Sequence, residues 1–265
     1  MGTRGQSGFT ILETTLFLAI TGLLILGIIT GTGASLNTQR YRDAVETFKS
    51  TMQEQYAKLS STENTRNDNW SCDSSSTAVQ GGPSTRSRGQ SDCMLVGSYV
   101  RIQGNNMAIY PVLASRIDNG GGNDITAMAS DYSYNVAQSG IDQRKLEWGT
   151  EIAWARTGTL DQNGARTPRS LGVLFVRSPI SGQVYTFTSN NVPPTTSISP
   201  LTFTNMIVAG ASVPGQGERM ICIDSGGMFI SASSGVYLAP FASGSTAVET
   251  RTNDTQANRD RNIQC

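Results

Sequence analysis

Residues 8–36 read GFTILETTLFLAITGLLILGIITGTGASL. The run from Thr14 to Leu36 contains 23 residues and no charge, and a helix of about 20 apolar residues spans the hydrocarbon core of a bilayer. No proline interrupts the chain between Phe9 and Leu59. We therefore expect one continuous helix, about 76 Å long at 1.5 Å per residue, that is long enough to cross a membrane and continue beyond it.

The second half of this helix, residues 37–60, is predicted to be amphipathic. Its apolar side chains recur at steps of three and four residues, which places them on one face of a helix. They are Tyr41, Ala44, Val45, Phe48, Met52, Tyr56 and Leu59. Most of the charged residues take the other face. We expect residues 9–36 to lie in lipid or in the core of a filament, and residues 37–60 to pack under a globular head.

Glu13 stands at the edge of the uncharged run. A charged side chain at the centre of a membrane helix costs roughly 2.5–3.5 kcal/mol, so the carboxylate needs a partner or a role. In a secretory signal peptide the small-residue cleavage site follows the apolar core, whereas Gly8 precedes it here. Cleavage after Gly8 would create an α-amine on Phe9, at i, i+4 spacing from Glu13. The first turn of a helix also favours a negative charge.

The pattern Gly8-Phe9-Thr10-Ile11-Leu12-Glu13, followed by an apolar stretch, resembles the cleavage and methylation motif of type IV prepilins and type II secretion pseudopilins. The resemblance implies a leader peptide, residues 1–8, that a prepilin peptidase removes between Gly8 and Phe9, with N-methylation of Phe9. It further implies that Glu13 pairs with the amine of a neighbouring subunit during assembly. The precursor would be a single-pass protein of the cytoplasmic membrane, and the assembled subunit would belong to an extracellular or cell-surface filament.

The apolar helix departs from that family in one respect. Many pilins carry a proline in the second half of this helix, whereas this sequence has glycines at positions 22, 27, 31 and 33. Each glycine costs a helix about 1 kcal/mol relative to alanine and can supply a similar local weakness. Gly27 and Gly31 also have the small-xxx-small spacing that suits close helix packing, although glycine is frequent in membrane helices generally.

The composition argues against a catalytic site. The chain has no histidine, which excludes histidine-based general base catalysis, serine–histidine and cysteine–histidine nucleophiles, and histidine metal sites. Basic and acidic residues number 20 each, so no strongly basic surface is available for nucleic acid. We predict a protein that is not an enzyme, with no metal site, no cofactor and no nucleic-acid partner.

The four cysteines are Cys72, Cys93, Cys222 and Cys265, and none forms a CxxC pair. An even number of cysteines beyond a membrane segment predicts disulfides in an oxidising compartment, and four cysteines allow three connectivities. We favour Cys72–Cys93, which would close a polar loop at 61–93, and Cys222–Cys265, which resembles the C-terminal disulfide loop of many type IV pilins. The count of Lys and Arg beside the span would place the head in the cytoplasm. The cysteines favour the outside, and we give them the greater weight.

Residues 94–265 are predicted to form a β-rich head, because short apolar runs alternate there with turn residues. The predicted strands are Met94–Gln103, Met107–Ala114, Leu146–Arg156, Leu171–Arg177, Gln183–Thr188, Leu201–Val208, Arg219–Asp224, Met228–Ser231 and Val236–Leu238. Beyond residue 60 only 139–147 competes as a helix. The expected fold class is α+β and type IV pilin-like, with the long N-terminal helix packed on a mostly antiparallel β-sheet head.

These features predict a structural filament subunit, and the large head favours a minor or specialised pilin. Its partners would be the prepilin peptidase, other pilin subunits, the pilus assembly platform in the cytoplasmic membrane and, before assembly, the lipid bilayer. One alternative is a pseudopilin of a type II secretion or DNA-uptake machine, which shares the same anchor chemistry. A second alternative is a single-pass membrane-anchored extracytoplasmic binding domain that does not polymerise.

Overall fold

The computed structural model describes residues 10–60, 70–72, 78–80, 93–117, 120, 122–137, 140–154, 156–157, 169–194, 198–212, 219–228, 234–242, 244–252 and 263–265. Within these ranges the chain is an α+β protein with a long apolar N-terminal helix and antiparallel sheets, as predicted. The helices are α1 Ile11–Ser60, α2 Asp124–Ser130 and α3 Pro200–Ser212.

The strands are, in chain order, β1 Trp70–Cys72, β2 Ala78–Gln80, β3 Cys93–Gln103, β4 Asn106–Arg116, β5 Tyr132–Val136, β6 Asp142–Lys145, β7 Glu151–Ala153, β8 Arg156–Thr157, β9 Ser170–Arg177, β10 Val184–Ser189, β11 Met220–Asp224, β12 Ser234–Leu238, β13 Phe241–Ala242, β14 Val248–Thr252 and β15 Ile263–Gln264. A seven-stranded sheet has the order β13-β10-β9-β3-β4-β5, with β6 also paired to β4, and a four-stranded sheet has the order β14-β12-β11-β7. The pairs β1-β2 and β8-β15 form two further small sheets.

Helix α1 is continuous over 50 residues, a length of about 75 Å. All seven side chains of the predicted apolar stripe are buried. Thr51 and Gln55 are buried on the same face. Residues 37–60 are therefore packed onto the head, and this packing fixes the direction in which the apolar half of the helix leaves it.

The head has three layers. Phe48 and Tyr56 of α1 share one core cluster with Phe175 of the seven-stranded sheet and Ile221 of the four-stranded sheet. On the opposite face of the seven-stranded sheet, a second cluster includes Phe203 of α3. The seven-stranded sheet is thus covered on one face by α1 with the four-stranded sheet, and on the other by α2 and α3.

The prediction of a strand at Leu201–Val208 was wrong, because these residues belong to α3. Apolar and threonine residues alternate at the start of this segment, and that alternation is typical of a half-buried strand. The buried residues Phe203, Met206 and Ile207 instead follow helical spacing. Pro200 occupies the first helical position, where a missing N–H costs nothing.

The single strand predicted at Leu146–Arg156 is interrupted in the structure. Glu147–Gly149 forms a short 3-10 turn before β7, and both Trp148 and Gly149 have positive φ angles. The segment 139–147 contains β6 rather than a helix. Most of the predicted strand Met228–Ser231 lies outside the described residues. The other predicted strands are present with bounds shifted by a few residues at most, including the β3–β4 hairpin.

Candidate functional site

The apolar half of α1 lies uncovered in the described part of the chain. Its most hydrophobic 18-residue window is 0% buried, and this is the one described helix that is long and apolar enough to cross a membrane. Its exposed large apolar side chains are Ile11, Leu12, Leu16, Phe17, Leu18, Ile20, Leu23, Leu24, Ile25, Leu26, Ile28, Ile29 and Leu36. Such a surface needs lipid or other apolar helices around it.

The threonine hydroxyls of this segment are compatible with an apolar surrounding. Thr14, Thr15, Thr21, Thr30 and Thr32 each donate a hydrogen bond to a backbone carbonyl three or four residues earlier, at 2.8–3.0 Å. In a bilayer every polar group must find its partner within the protein. The helix therefore carries its own partners for these five hydroxyls.

Glu13 closes a capping box with Thr10 at the start of α1. The Thr10 amide donates to Glu13 Oε2 at 3.1 Å, the Thr10 hydroxyl lies 3.2 Å from the same oxygen, and the Glu13 amide donates to Thr10 Oγ1 at 3.3 Å. This reciprocal pattern satisfies two amides at a helix start. The T-x-x-E spacing is visible in the sequence and is sufficient to predict this capping box. No basic side chain among the described residues pairs with Glu13.

The other predicted sites on this helix have different outcomes. Gly8 and Phe9 lie outside the described residues, so cleavage between them stays a prediction. At Gly27 and Gly31 an added Cβ would meet nothing within 4 Å. Both positions are open to a second helix, and their role in packing stays a prediction.

The Cys222–Cys265 disulfide is present, as predicted. Cys222 lies in β11 and both residues are buried. An added Cβ at Gly235 of the neighbouring strand β12 would lie 2.6 Å from Cys265 Sγ, so the sulfur packs closely on that glycine. The side chains of Cys72 and Cys93 lie outside the described residues, and their disulfide stays a prediction.

Two buried tyrosines tie α1 to the sheets. Tyr41 donates to the Ile223 carbonyl at 2.9 Å and accepts from the Ser234 amide at 2.7 Å, so it holds the ends of β11 and β12. The Tyr56 hydroxyl hydrogen-bonds to the Thr186 hydroxyl of β10. Burial raises the pKa of Tyr56 to about 12, because a buried phenolate has lost its hydration.

A charged cluster adds a third tie at the surface. Arg144 of β6 donates to Glu54 of α1 at 2.7 Å, and its guanidinium lies 2.6 Å from Asp142. The hydrogen bond from Arg144 holds the pKa of Glu54 below its ordinary value of 4.5. Together with the tyrosines, this cluster makes the head and the second half of α1 a single unit.

Arg40 and Trp148 meet where α1 enters the head. The Arg40 guanidinium carbon lies 4.9 Å from the centroid of the Trp148 ring, within cation–π range. Trp148 is 51% exposed. The sequence does not predict this contact, because two residues so far apart in the chain leave no local pattern.

The head also carries an open groove of about 340 Å³ between the end of β10 and α3. Six of its ten lining residues carry hydroxyl or amide side chains, among them Thr188, Asn191 and Asn205. Such groups can hydrogen-bond a neutral polar ligand. Among the described residues, no group of three or more His, Cys, Asp or Glu side chains could hold a metal ion.

No family model, no curated protein and no solved structure matches the chain.

Proposed function

We propose that this chain is a structural subunit of a type IV pilus-like filament, anchored in the membrane by the first half of α1 and assembled through the same residues. The observation that carries the proposal is Glu13. Its carboxylate stands at the start of a helix in which the next charged residue is Arg40, and the described residues offer it no basic partner. A charge retained in such a place indicates a function.

The exposed apolar surface supports an assembly role for the helix. Thirteen large apolar side chains of residues 11–36 are exposed, and burying each one stabilises a structure by about 1.5–3 kcal/mol. The total, roughly 20–40 kcal/mol, exceeds the usual stability of a whole domain, about 5–15 kcal/mol. The segment therefore requires a cover, which lipid gives before assembly and the helices of other subunits give in a filament.

The capping box fits the proposed chemistry at Glu13. It directs Oε2 at the Thr10 amide, one residue from the amine that cleavage would create on Phe9. A carboxylate at this place can accept a charged amine from its own chain or from a neighbouring subunit. Two opposite charges entering an apolar core together cost less than one charge alone, so pairing would fix the register between subunits.

The rigid tie between α1 and the head supports an ordered filament. Because Tyr41, Tyr56 and Arg144 hold residues 37–60 on the sheets, each head would follow the position of its helix. Subunits related by equal shifts of their helices would therefore present their heads in a regular array. The Cys222–Cys265 disulfide agrees with a head in an oxidising compartment outside the cytoplasm.

Two alternatives remain distinct from this proposal. A pseudopilin of a type II secretion or DNA-uptake machine would use the same anchor and differ in its machinery. A single-pass anchored binding domain that does not polymerise is favoured by the groove between β10 and α3, which offers hydrogen-bonding groups to a ligand. In that case Glu13 would serve only as a helix cap.

The substitution Glu13→Gln tests the role of the Glu13 charge separately from its role as a helix cap. Glutamine keeps the capping box, because its amide oxygen can accept from the Thr10 amide, but it carries no charge. Removing one partner of a buried ion pair costs about 3–5 kcal/mol, so the yield of sheared filaments should fall at least about tenfold. Thr10→Ser, which keeps both cap and charge, is the matched control and should assemble normally.

Mass spectrometry of the same preparations identifies the N-terminal residue and its methylation. The wild type and both variants should begin at N-methylated Phe9, because cleavage precedes assembly in this proposal. An uncleaved N-terminus in the wild type would refute processing. Normal filament yield from Glu13→Gln would refute the role of the Glu13 charge in assembly, whereas the absence of filaments from the wild type would leave the anchored binding domain as the better assignment.

A further inference from the structure

The length of α1 places Arg40 at a definite height above the bilayer centre. Glu13 and Arg40 are 27 positions apart in sequence, which is about 40 Å along a helix. A bilayer with its headgroups is about 40–45 Å thick. If Glu13 lies at one membrane surface, as the proposed function requires, Arg40 lies among the headgroups of the opposite leaflet.

The turn that contains Trp148 lies at this height. Its ring is beneath the Arg40 guanidinium, at 4.9 Å from the ring centroid. The next helix residue, Tyr41, is already bonded to β11 and β12. Trp148 is therefore part of the membrane-proximal end of the head.

The backbone holds Trp148 in an unfavourable conformation. It is the one non-glycine residue with a positive φ, 57°, in the described ranges, a conformation that costs about 1–3 kcal/mol. Thr150, two residues later, supports the turn, since its amide and its hydroxyl both donate to the Glu147 carbonyl, at 3.1 and 2.9 Å. An added Cβ at Gly226 would lie 2.1 Å from the Gly149 carbonyl oxygen, so a second turn packs against the first. The fold thus keeps a large aromatic ring half exposed at this end.

We propose that Trp148 and Arg40 form a membrane-interface anchor, which binds the headgroup layer of the leaflet below the head while the subunit is in the bilayer. Tryptophan concentrates at this layer, because its ring is apolar and its N–H can hydrogen-bond to water or to lipid oxygens. The Arg40 guanidinium can bind a lipid phosphate with two hydrogen bonds. The pair fixes the height of the head above the membrane before assembly.

A second tryptophan provides an internal comparison. Trp154 is 44% exposed and lies under the guanidinium of Arg169, at 4.6 Å from its ring centroid. Arg169 also reaches the carbonyl of Met220, at the start of β11, whereas Tyr41 marks the other end of that strand. The five residues of β11, Met220–Asp224, span about 13 Å from first to last, which puts Trp154 beyond the headgroup layer. Exposure and cation–π contact are alike in the two residues, and height above the membrane distinguishes them.

The experiment uses the full chain in vesicles of phosphatidylcholine and phosphatidylglycerol. The variant Trp70→Phe/Trp154→Phe leaves Trp148 as the one fluorophore, and Trp70→Phe/Trp148→Phe leaves Trp154. Lipids brominated near the carbonyl end of the acyl chain should reduce Trp148 emission about twofold, as for an interfacial indole. They should leave Trp154 emission unchanged, while aqueous acrylamide should quench Trp154 more strongly than Trp148.

Each outcome is decisive. Equal behaviour of the two tryptophans in chains that float with the vesicles overturns the interface anchor and leaves the proposed filament function standing. Protection of Trp148 that occurs in filaments but not in vesicles assigns it to a subunit contact and also overturns the anchor. A chain that does not float with the vesicles refutes the membrane span itself. If a double variant loses its native circular dichroism, the unmutated chain labelled with fluorotryptophan is tested with paramagnetic lipid, and Trp148→Phe identifies the signal.

Discussion

Opening the disulfide between Cys222 and Cys265 is expected to lower the free energy of unfolding by about 4 kcal/mol. The bond joins residues 43 apart in sequence, and the loop-closure entropy for a loop of that size amounts to about 4 kcal/mol at 25 °C. Cys222 lies inside the four-stranded sheet, bonded through β11 to both β12 and β7. Because the native sheet keeps this cysteine in place, the main effect of opening the bond falls on the unfolded chain.

Urea unfolding of the full chain in detergent, followed by tryptophan fluorescence, measures this free energy. The background Cys72→Ala/Cys93→Ala leaves one disulfide, so a reducing agent then opens that bond alone and removes no atoms from the core. The variant Cys222→Ala/Cys265→Ala also deletes the sulfur that packs on Gly235, and it should lose more stability than reduction does. The difference between the two measures the packing of the sulfurs.

The slope of the free energy of unfolding against urea concentration provides a further check. Without the cross-link the unfolded chain expands and exposes more surface, so the slope should rise. If reduction lowers the free energy of unfolding by less than roughly 1 kcal/mol and leaves the slope unchanged, loop closure is refuted as the source of the stability.

Two further predictions concern the tie between α1 and the head. Phe48 is 1% exposed in the main core, and Phe48→Ala should lower the free energy of unfolding by about 3–5 kcal/mol. The control Ser50→Ala, on the exposed face of α1, should change it by about 0.5 kcal/mol or less. Equal effects of the two substitutions in chemical denaturation would contradict the packing of α1 on the head. Arg144→Met should cost about 1 kcal/mol or less near pH 7, because the partners are about one third exposed. Since Arg144 lowers the pKa of Glu54 from 4.5, the pair stabilises the fold above that pH and its contribution is lost as the pH falls through the lower, folded pKa. A difference between wild type and variant that does not shrink at about pH 3 would contradict this linkage.

The long helix was predictable because its signal is local and repeated. Twenty-three uncharged residues, followed by apolar residues at three- and four-residue steps, leave no other regular structure available. The buried residues Tyr41, Phe48 and Tyr56 fall where this spacing puts them. Secondary structure that one periodicity determines over many turns does not depend on the rest of the chain.

Helix α3 shows why the remainder was harder. Leu201 and Phe203, separated by a threonine, suggest a strand, and the choice between strand and helix depends on what lies beneath. The seven-stranded sheet already has its edges formed by β13 and by β5 and β6, and its face needs a cover rather than another strand. A helix that buries Phe203 against Tyr99, with ring centroids 5.4 Å apart, supplies that cover. The sequence of the segment alone does not contain this information.

The residues of the candidate site also divide into those that the sequence predicts and those that only the structure brings together. Glu13 was identified from sequence because a charge next to an apolar run is visible without a structure. Its partner Thr10 was also within reach, since a capping box is a four-residue pattern. The contact between Arg40 and Trp148 was not predictable, because it depends on the turn at Glu147–Gly149 and on the way the four-stranded sheet packs against α1.

The two halves of α1 differ in what maintains their helical structure. Residues 37–60 contain no glycine, and tertiary contacts hold them to the head. Residues 22–33 contain four glycines with open space around them, and each weakens the helix by about 1 kcal/mol relative to alanine. In a bilayer this segment stays helical because no other partner exists for its backbone amides and carbonyls. In the proposed filament, neighbouring helices would replace lipid and weaken that constraint, so the glycine segment is where α1 could unwind at the lowest cost without disturbing the head.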